Sequence, residues 1–193
     1  MAFFNESYLG TPPWDIGRPQ REFARLAMHS EIRGTVLDVG CGTGENAIFF
    51  AKHGHEVWGV DAAPLAIEKA TRKAKESGAR VNFLVADALH LEKLKRRFNT
   101  ITDCGLFHVF SDEARRVFER SLRSALEPDG TYFMLCFSDK EPAGWGGPRR
   151  VSEDEIRETF HEGWKINYIR EASFESSFHS DGGRAWLTSI NSV

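Results

Sequence analysis

Val36-Leu-Asp-Val-Gly-Cys-Gly-Thr-Gly44 is the stretch on which the reading of the whole chain turns. Val36, Leu37 and Val39 are the β-branched and aliphatic residues of a buried strand. Gly40, Gly42 and Gly44 then follow at alternate positions. Without a Cβ, glycine turns the backbone tightly and lets a ligand approach it closely. Glu45 to His53 next reads as a helix, ended by Gly54. Strand, glycine turn and helix in that order open a doubly wound α/β sheet at its nucleotide-binding end.

The spacing separates ligand classes. Dinucleotide folds use G-x-G-x-x-G, with the pyrophosphate on the helix N-terminus; here it is G-x-G-x-G. Asp38 lies inside the strand and Glu45 at the helix start, so a pyrophosphate would be repelled. Two acids suit a ligand carrying an ammonium group and a positive sulfur. No Lys-Ser or Lys-Thr follows the glycines, which excludes a P-loop. A plain core turn would need neither three glycines nor two acids.

The 193 residues suit one domain with a proper core. A hydrophobic content of 41% argues against disorder. The net charge of -3, with basic residues scattered among acids, forms no nucleic-acid footprint. Cys41, Cys104 and Cys136 are widely spaced and read as reduced thiols of a cytoplasmic protein. His29, His53, His55, His90, His161 and His179 show no metal-ligand spacing, so no metal is expected. No signal peptide and no span of roughly 20 apolar residues is visible.

Met1 to Gln20 reads as an irregular arm rich in aromatics (Phe3, Phe4, Tyr8, Trp14) and prolines. A helix follows from Gln20 to Met28. Beyond the glycine turn come a strand at Glu56–Val60 ending on Asp61, a helix from Pro64 to Ser77 stopped by Gly78, and a strand at Val81–Val85. Phe98–Asp103 is a fourth strand. Ser111 caps a helix to about Leu126, and Pro128-Asp-Gly130 turns into a fifth strand, Thr131–Phe137. Ser152 and Glu155 form a capping box for a short helix. Lys165–Glu175 and Arg184–Ser189 read as the last two strands. Repeated βα alternation predicts one mostly parallel seven-stranded sheet with helices on both faces and the last strand antiparallel. Residues 1–193 form a single domain in this reading, with 1–20 as a lid.

Asp61 lies 21 positions after Gly40, where a carboxylate can accept both hydroxyl hydrogens of a ribose. Asp87 ends the third strand, where it can accept from an adenine amino group or simply cap a turn. With these residues in hand, Val36–Gly44, Gly-Val-Asp61 and Ala-Asp87-Ala resemble the class I S-adenosylmethionine-dependent methyltransferases. The resemblance implies S-adenosyl-L-methionine as cofactor and S-adenosyl-L-homocysteine as product. It implies a cofactor site drawn from Asp38, Gly40, Cys41, Gly42, Asp61, Ala62, Asp87, Ala88 and Cys104, with Asp103 and Cys104 bordering the reactive methyl.

Pro13-Trp-Asp-Ile-Gly-Arg-Pro-Gln20 is similar to the N-terminal signature of the thiopurine, halide and thiol methyltransferase-like branch, and Phe107-His108 fits the same branch. That resemblance implies a lid whose Trp14 and Arg18 belong to the cofactor site. It also implies a small thiol, phenol or hydroxyquinolone as acceptor. His108 is either a general base, with Asp103 as the other candidate, or a residue that hydrogen-bonds its loop. Arg149 and Arg150 either bind an anionic acceptor or are solvated. A monomer acting on a small molecule is expected, with no nucleic-acid or membrane partner. The rival expectations are a tellurite-resistance-type methyltransferase with another acceptor and a non-catalytic cofactor-binding protein.

Overall fold

The computed structural model describes residues 2–142, 144, 146–177 and 179–193. The Phe3 side chain, read above as part of the arm's aromatic surface, lies outside the described residues, as does Trp145 of the loop after the fifth strand.

The sheet is built around β1 (Val36–Val39), every residue of which is buried. It pairs in parallel with β2 (Val57–Asp61) on one side and β4 (Phe98–Cys104) on the other. β3 (Val81–Val85) extends the sheet beyond β2, and β5 (Leu126–Phe137) extends it beyond β4. β6 (Trp164–Ser176) and β7 (His179–Ser192) form a long antiparallel hairpin. β7 is inserted antiparallel against β5, so the strand order is β3-β2-β1-β4-β5-β7-β6.

The helices begin where the sequence chemistry dictates. α1 (Ala2–Ser7) and α2 (Arg21–Met28) precede the sheet. α3 (Glu45–Lys52) starts after Gly44, whose φ of +84° lies in the left-handed region. A Cβ at Gly44 would also come within 2.6 Å of the Phe83 ring, so conformation and space both require glycine there. α4 (Pro64–Ser77) has proline at its first turn and Gly78 as its left-handed C-cap. α5 (Asp112–Ala125) is capped by the Ser111 hydroxyl, which accepts from the Ala114 amide. α6 (Glu153–Thr159) carries the complete Ser152–Glu155 capping box.

β5 begins at Leu126 and β7 at His179, each earlier than expected, and two further departures bear on the packing. The arm is not irregular throughout, because Ala2–Ser7 is helical and rests on α4, where Asn5 Oδ1 accepts from the Leu65 amide at 3.1 Å. Residues Ala88–Leu94 form a 3-10 segment that the sequence did not announce. Asp87 caps it, Leu91 is fully buried, and Ser121 of α5 both donates to the Ala88 carbonyl and accepts from the Leu91 amide. Two apolar clusters fill the opposite faces of the sheet. One holds Leu37, Ile101, Phe118 and Tyr132; the other holds Phe23, Val36, Phe50 and Phe133. The turns after β1, β2 and β4 therefore converge at one edge, at the carboxyl ends of the central strands.

Candidate active site

The glycine turn is wired to the end of β2. The Gly42 amide donates to Asp61 Oδ2 at 2.9 Å, and the Ala63 amide donates to Oδ1 at 2.8 Å. The Ala62 amide also pulls on the Asp61 carboxylate, which with about four lone-pair positions retains acceptor capacity. Burial raises its pKa, against the pull of those amides. Asp38 is enclosed beneath the turn, where its Oδ1 accepts from the Thr102 hydroxyl at 2.8 Å. Its Oδ2 is buried and has no hydrogen-bond partner among the described residues. Burial, opposed by Thr102 and reinforced by Asp103, pushes Asp38 up to about 7. A buried carboxylate oxygen without a donor is costly unless something outside the chain supplies one.

The arm lies across this turn. Tyr8 is buried with its hydroxyl accepting from Trp14 Nε1 at 3.0 Å, and a Cβ at Gly42 (φ +53°) would meet that hydroxyl at 2.9 Å. Trp14 makes edge contacts to Phe4 and Tyr8. From α4, Lys73 donates to Thr43 at 2.8 Å, to Glu45 at 2.6 Å and to Asp15 at 3.3 Å. Glu45, expected to face a cationic ligand together with Asp38, is therefore matched by the chain's own lysine. Arg18 has a partner in the chain as well. It borders the pocket, but its guanidinium makes a two-point contact with Glu175, 3.0 Å at each end.

The end of β4 holds both candidate bases. Asp103 is fully buried and saturated: it accepts from the Leu106 amide at 2.8 Å, the Phe107 amide at 3.1 Å and the Tyr132 hydroxyl at 2.8 Å. Burial pushes it up to about 7, yet every nearby donor belongs to the fold. It organises the turn after β4 and is not among the residues that line the pocket. His108 is buried as well. Its Nδ1 accepts from the Phe137 amide at 3.2 Å, which places the ring proton on Nε2. Burial, and then the charges of Arg115 and Arg150, push it down to about 3. So weak a base is a poor proton acceptor near neutrality. Its ring stacks on Phe137 at 5.2 Å and tilts against Phe174 at 5.9 Å, making one side of an aromatic wall.

Six of the residues expected at the cofactor site line a single pocket: Trp14, Arg18, Gly40, Cys41, Gly42 and Cys104. Asn46 and Phe174 line it too, without having been anticipated. Asp38 and Asp61 sit directly behind the turn. Ala62 is exposed beyond Asp61, and Asp87 caps its 3-10 segment, with Leu89 donating at 2.9 Å. Ala88 is packed into the core away from the pocket.

Residues 36–130 match the sequence profile of a methyltransferase domain. A 2-heptyl-1-hydroxyquinolin-4(1H)-one methyltransferase of Mycobacteroides abscessus is 38% identical over 169 residues, spanning 86% of this chain and 74% of the relative. The chain is a class I S-adenosylmethionine-dependent methyltransferase. "Probable thiol methyltransferase 2" of Arabidopsis thaliana is 30% identical over 149 residues, 76% of this chain and 65% of that one. A solved structure concerned with conversion of a disulfide bond into a thioacetal group during echinomycin biosynthesis superposes with a TM-score of 0.91. It is 33% identical and covers 99% of this chain and 91% of its own.

Sequence inspection of this methyltransferase missed Phe174, Glu175, Lys73 and Asn46. Phe174 and Glu175 lie in a strand whose alternation marks only its pleat, and nothing local announces that Glu175 meets residues 154 to 157 positions away. Lys73 could have been suspected, because it falls on the buried side of a helix otherwise faced with alanine and isoleucine. Among the described residues no helix is long and apolar enough to cross a membrane, and no cluster of His, Cys, Asp or Glu could hold a metal ion.

Proposed function

We propose that the glycine pocket holds S-adenosylmethionine and that the acceptor is a small, planar, mostly apolar molecule presenting a sulfur or oxygen nucleophile, such as a thiol, a phenol or a hydroxyquinolone. The donor set fits the cofactor. Asp61 has acceptor capacity left for two ribose hydroxyls, Asp38 Oδ2 lacks a donor that an ammonium group would supply, and the glycines leave the space a Cβ would fill. Asp87 stands beyond β3 to accept from the adenine amino group, and Trp14 roofs the turn. When bound, the cofactor supplies a methyl group on a positive sulfur, open to in-line displacement.

The observation that carries the acceptor reading is Phe174, which lines the pocket together with Cys104 and is backed by the buried rings of Phe137 and His108. An aromatic face at the pocket wall favours a flat ring, and positioning a nucleophile against the methyl is most of what such a displacement needs. His108 orients the wall and takes no proton, so the acceptor arrives already ionised or is deprotonated by solvent. Acidic thiols and N-hydroxyquinolones meet that requirement, and the two relatives named for hydroxyquinolone and thiol substrates support it. Radiolabelled methyl transfer across a panel of aryl thiols, phenols and 1-hydroxyquinolones tests the proposal. Turnover is expected with the acidic members. Labelling confined to proteins or nucleic acids overturns it.

A further inference from the structure

We propose that Glu175 is the latch that holds the N-terminal arm over the glycine pocket, so that its release governs entry and exit of the cofactor. The inference rests on the proposed placement of S-adenosylmethionine in that pocket.

Glu175 sits near the end of β6, where the hairpin turns toward β7, with its side chain only 9% exposed. Four donors from the arm and the start of α2 converge on its carboxylate. Arg18 Nη1 and Nη2 reach it at 3.0 Å each, the Arg21 amide at 2.8 Å and Arg21 Nη2 at 3.1 Å. Its backbone is engaged as well. Gln20 Nε2 donates to the Glu175 carbonyl at 2.8 Å, and the Glu175 amide donates to Gln20 Oε1 at 2.9 Å. Two residues along, the Ser177 amide donates to the Pro13 carbonyl at 2.9 Å, and the Gln20 amide donates to Asn46 Oδ1, a lining residue of the pocket, at 3.0 Å. The Pro13–Gln20 signature is thus fastened to the hairpin at three points, two of which run through Glu175.

The latch has the asymmetry that opening requires. Glu175 is buried and held low in pKa by Arg18, whereas the side chains of Arg18 and Arg21 are 55% and 59% exposed. Water can therefore take over the arginines as the arm lifts, while the carboxylate stays on the hairpin. Lifting is needed. The space beneath the arm is about 60 Å³, whereas pockets for small-molecule ligands run to roughly 300–1,000 Å³. Arg18 accordingly acts on the cofactor through Glu175 rather than by touching it.

Two variants and two measurements test this. Glu175→Gln removes the charge from the hairpin side, and Arg18→Gln removes the two-point contact from the exposed arm side. Amide hydrogen exchange over residues 11–20 is measured in the ligand-free protein, and dissociation of bound S-adenosylhomocysteine is measured by stopped-flow tryptophan fluorescence. In both variants arm exchange and product release are each expected to be about tenfold faster, as loss of charge-assisted hydrogen bonds predicts. Wild-type exchange and release in both variants overturns the latch. Release that quickens in Arg18→Gln but not in Glu175→Gln also overturns it, since Arg18 would then be a direct cofactor ligand. If Glu175→Gln does not fold, Arg18→Gln decides alone. If wild type fails to bind S-adenosylhomocysteine, the placement of the cofactor falls, and arm exchange still decides the latch.

Discussion

Asp38 and Asp103 sit on adjacent strands at nearly the same depth, since β1 and β4 are in register with Val39 opposite Asp103. Burial pushes both carboxyls up to about 7. Their valences differ. Asp103 is surrounded by two amides and a tyrosine hydroxyl, all from the fold, while Asp38 has the Thr102 hydroxyl, a weaker pull from the Ala47 amide, and an Oδ2 with no hydrogen bond of normal geometry among the described residues. The same residue type under the same burial is a structural post on one strand and an open acceptor on the next. What separates the roles is the number of donors the chain itself provides, not the pKa.

That contrast yields its largest consequence at Asp103. Replacing it with alanine strands the Tyr132 hydroxyl and two amides, and should cost about 3 kcal/mol of stability in urea unfolding. Asp38→Asn should cost less than about 1 kcal/mol and act instead on cofactor binding. If the two variants lose equal stability, the distinction between post and open acceptor collapses.

Next in size is Asp61. Its carboxylate is held by backbone amides of the turns after β1 and β2 and keeps acceptor capacity, so Asp61→Ala should weaken S-adenosylhomocysteine binding by about 1–3 kcal/mol in calorimetry. NAD should show no binding to either protein. Unchanged affinity would remove Asp61 from the ribose role.

A third test uses pH. His108 falls from an ordinary 6.5 to about 3 on folding, so it contributes stability above pH 6.5 that is lost as pH falls toward 3. Asp38 and Asp103 work oppositely: raised from 3.8 to about 7, they contribute stability below 3.8 that is lost as pH rises through 7. Comparing wild type with His108→Asn cancels the shared aspartate contribution. Between pH 7 and pH 5, wild type should lose about 2 kcal/mol relative to the variant, from 1.5 pH units of differential protonation below 6.5. Parallel stability curves would mean that His108 is not held neutral by the fold.

The smallest effect concerns catalysis. A histidine held neutral by burial is expected to take no proton from the acceptor, so the kcat/KM loss in His108→Asn should be the same, within about threefold, for an acidic thiol and a weak phenol. A loss that grows steeply with acceptor pKa would restore His108 as a general base and make the β4 end a proton-transfer site.

The architecture was legible because its signals are local. Three alternating glycines after a buried strand, Pro64 with Gly78, and Ser152 with Glu155 each state a turn or a helix end within a few residues. The 3-10 segment at Ala88–Leu94 was not legible, because its reason for existing is Ser121 of α5 and the core around Leu91. The sequence alone determined the order of strands and helices, the glycine turn and the acids beside it, since each depends on backbone conformation and short-range chemistry. Which acids remain available was decided only by the tertiary structure. Tyr132 reaches Asp103, Lys73 reaches Glu45 and Arg18 reaches Glu175 across 28 to 157 positions. Hydrogen-bond donors are assigned by proximity in space, and no short-range pattern in the chain encodes which of them will arrive.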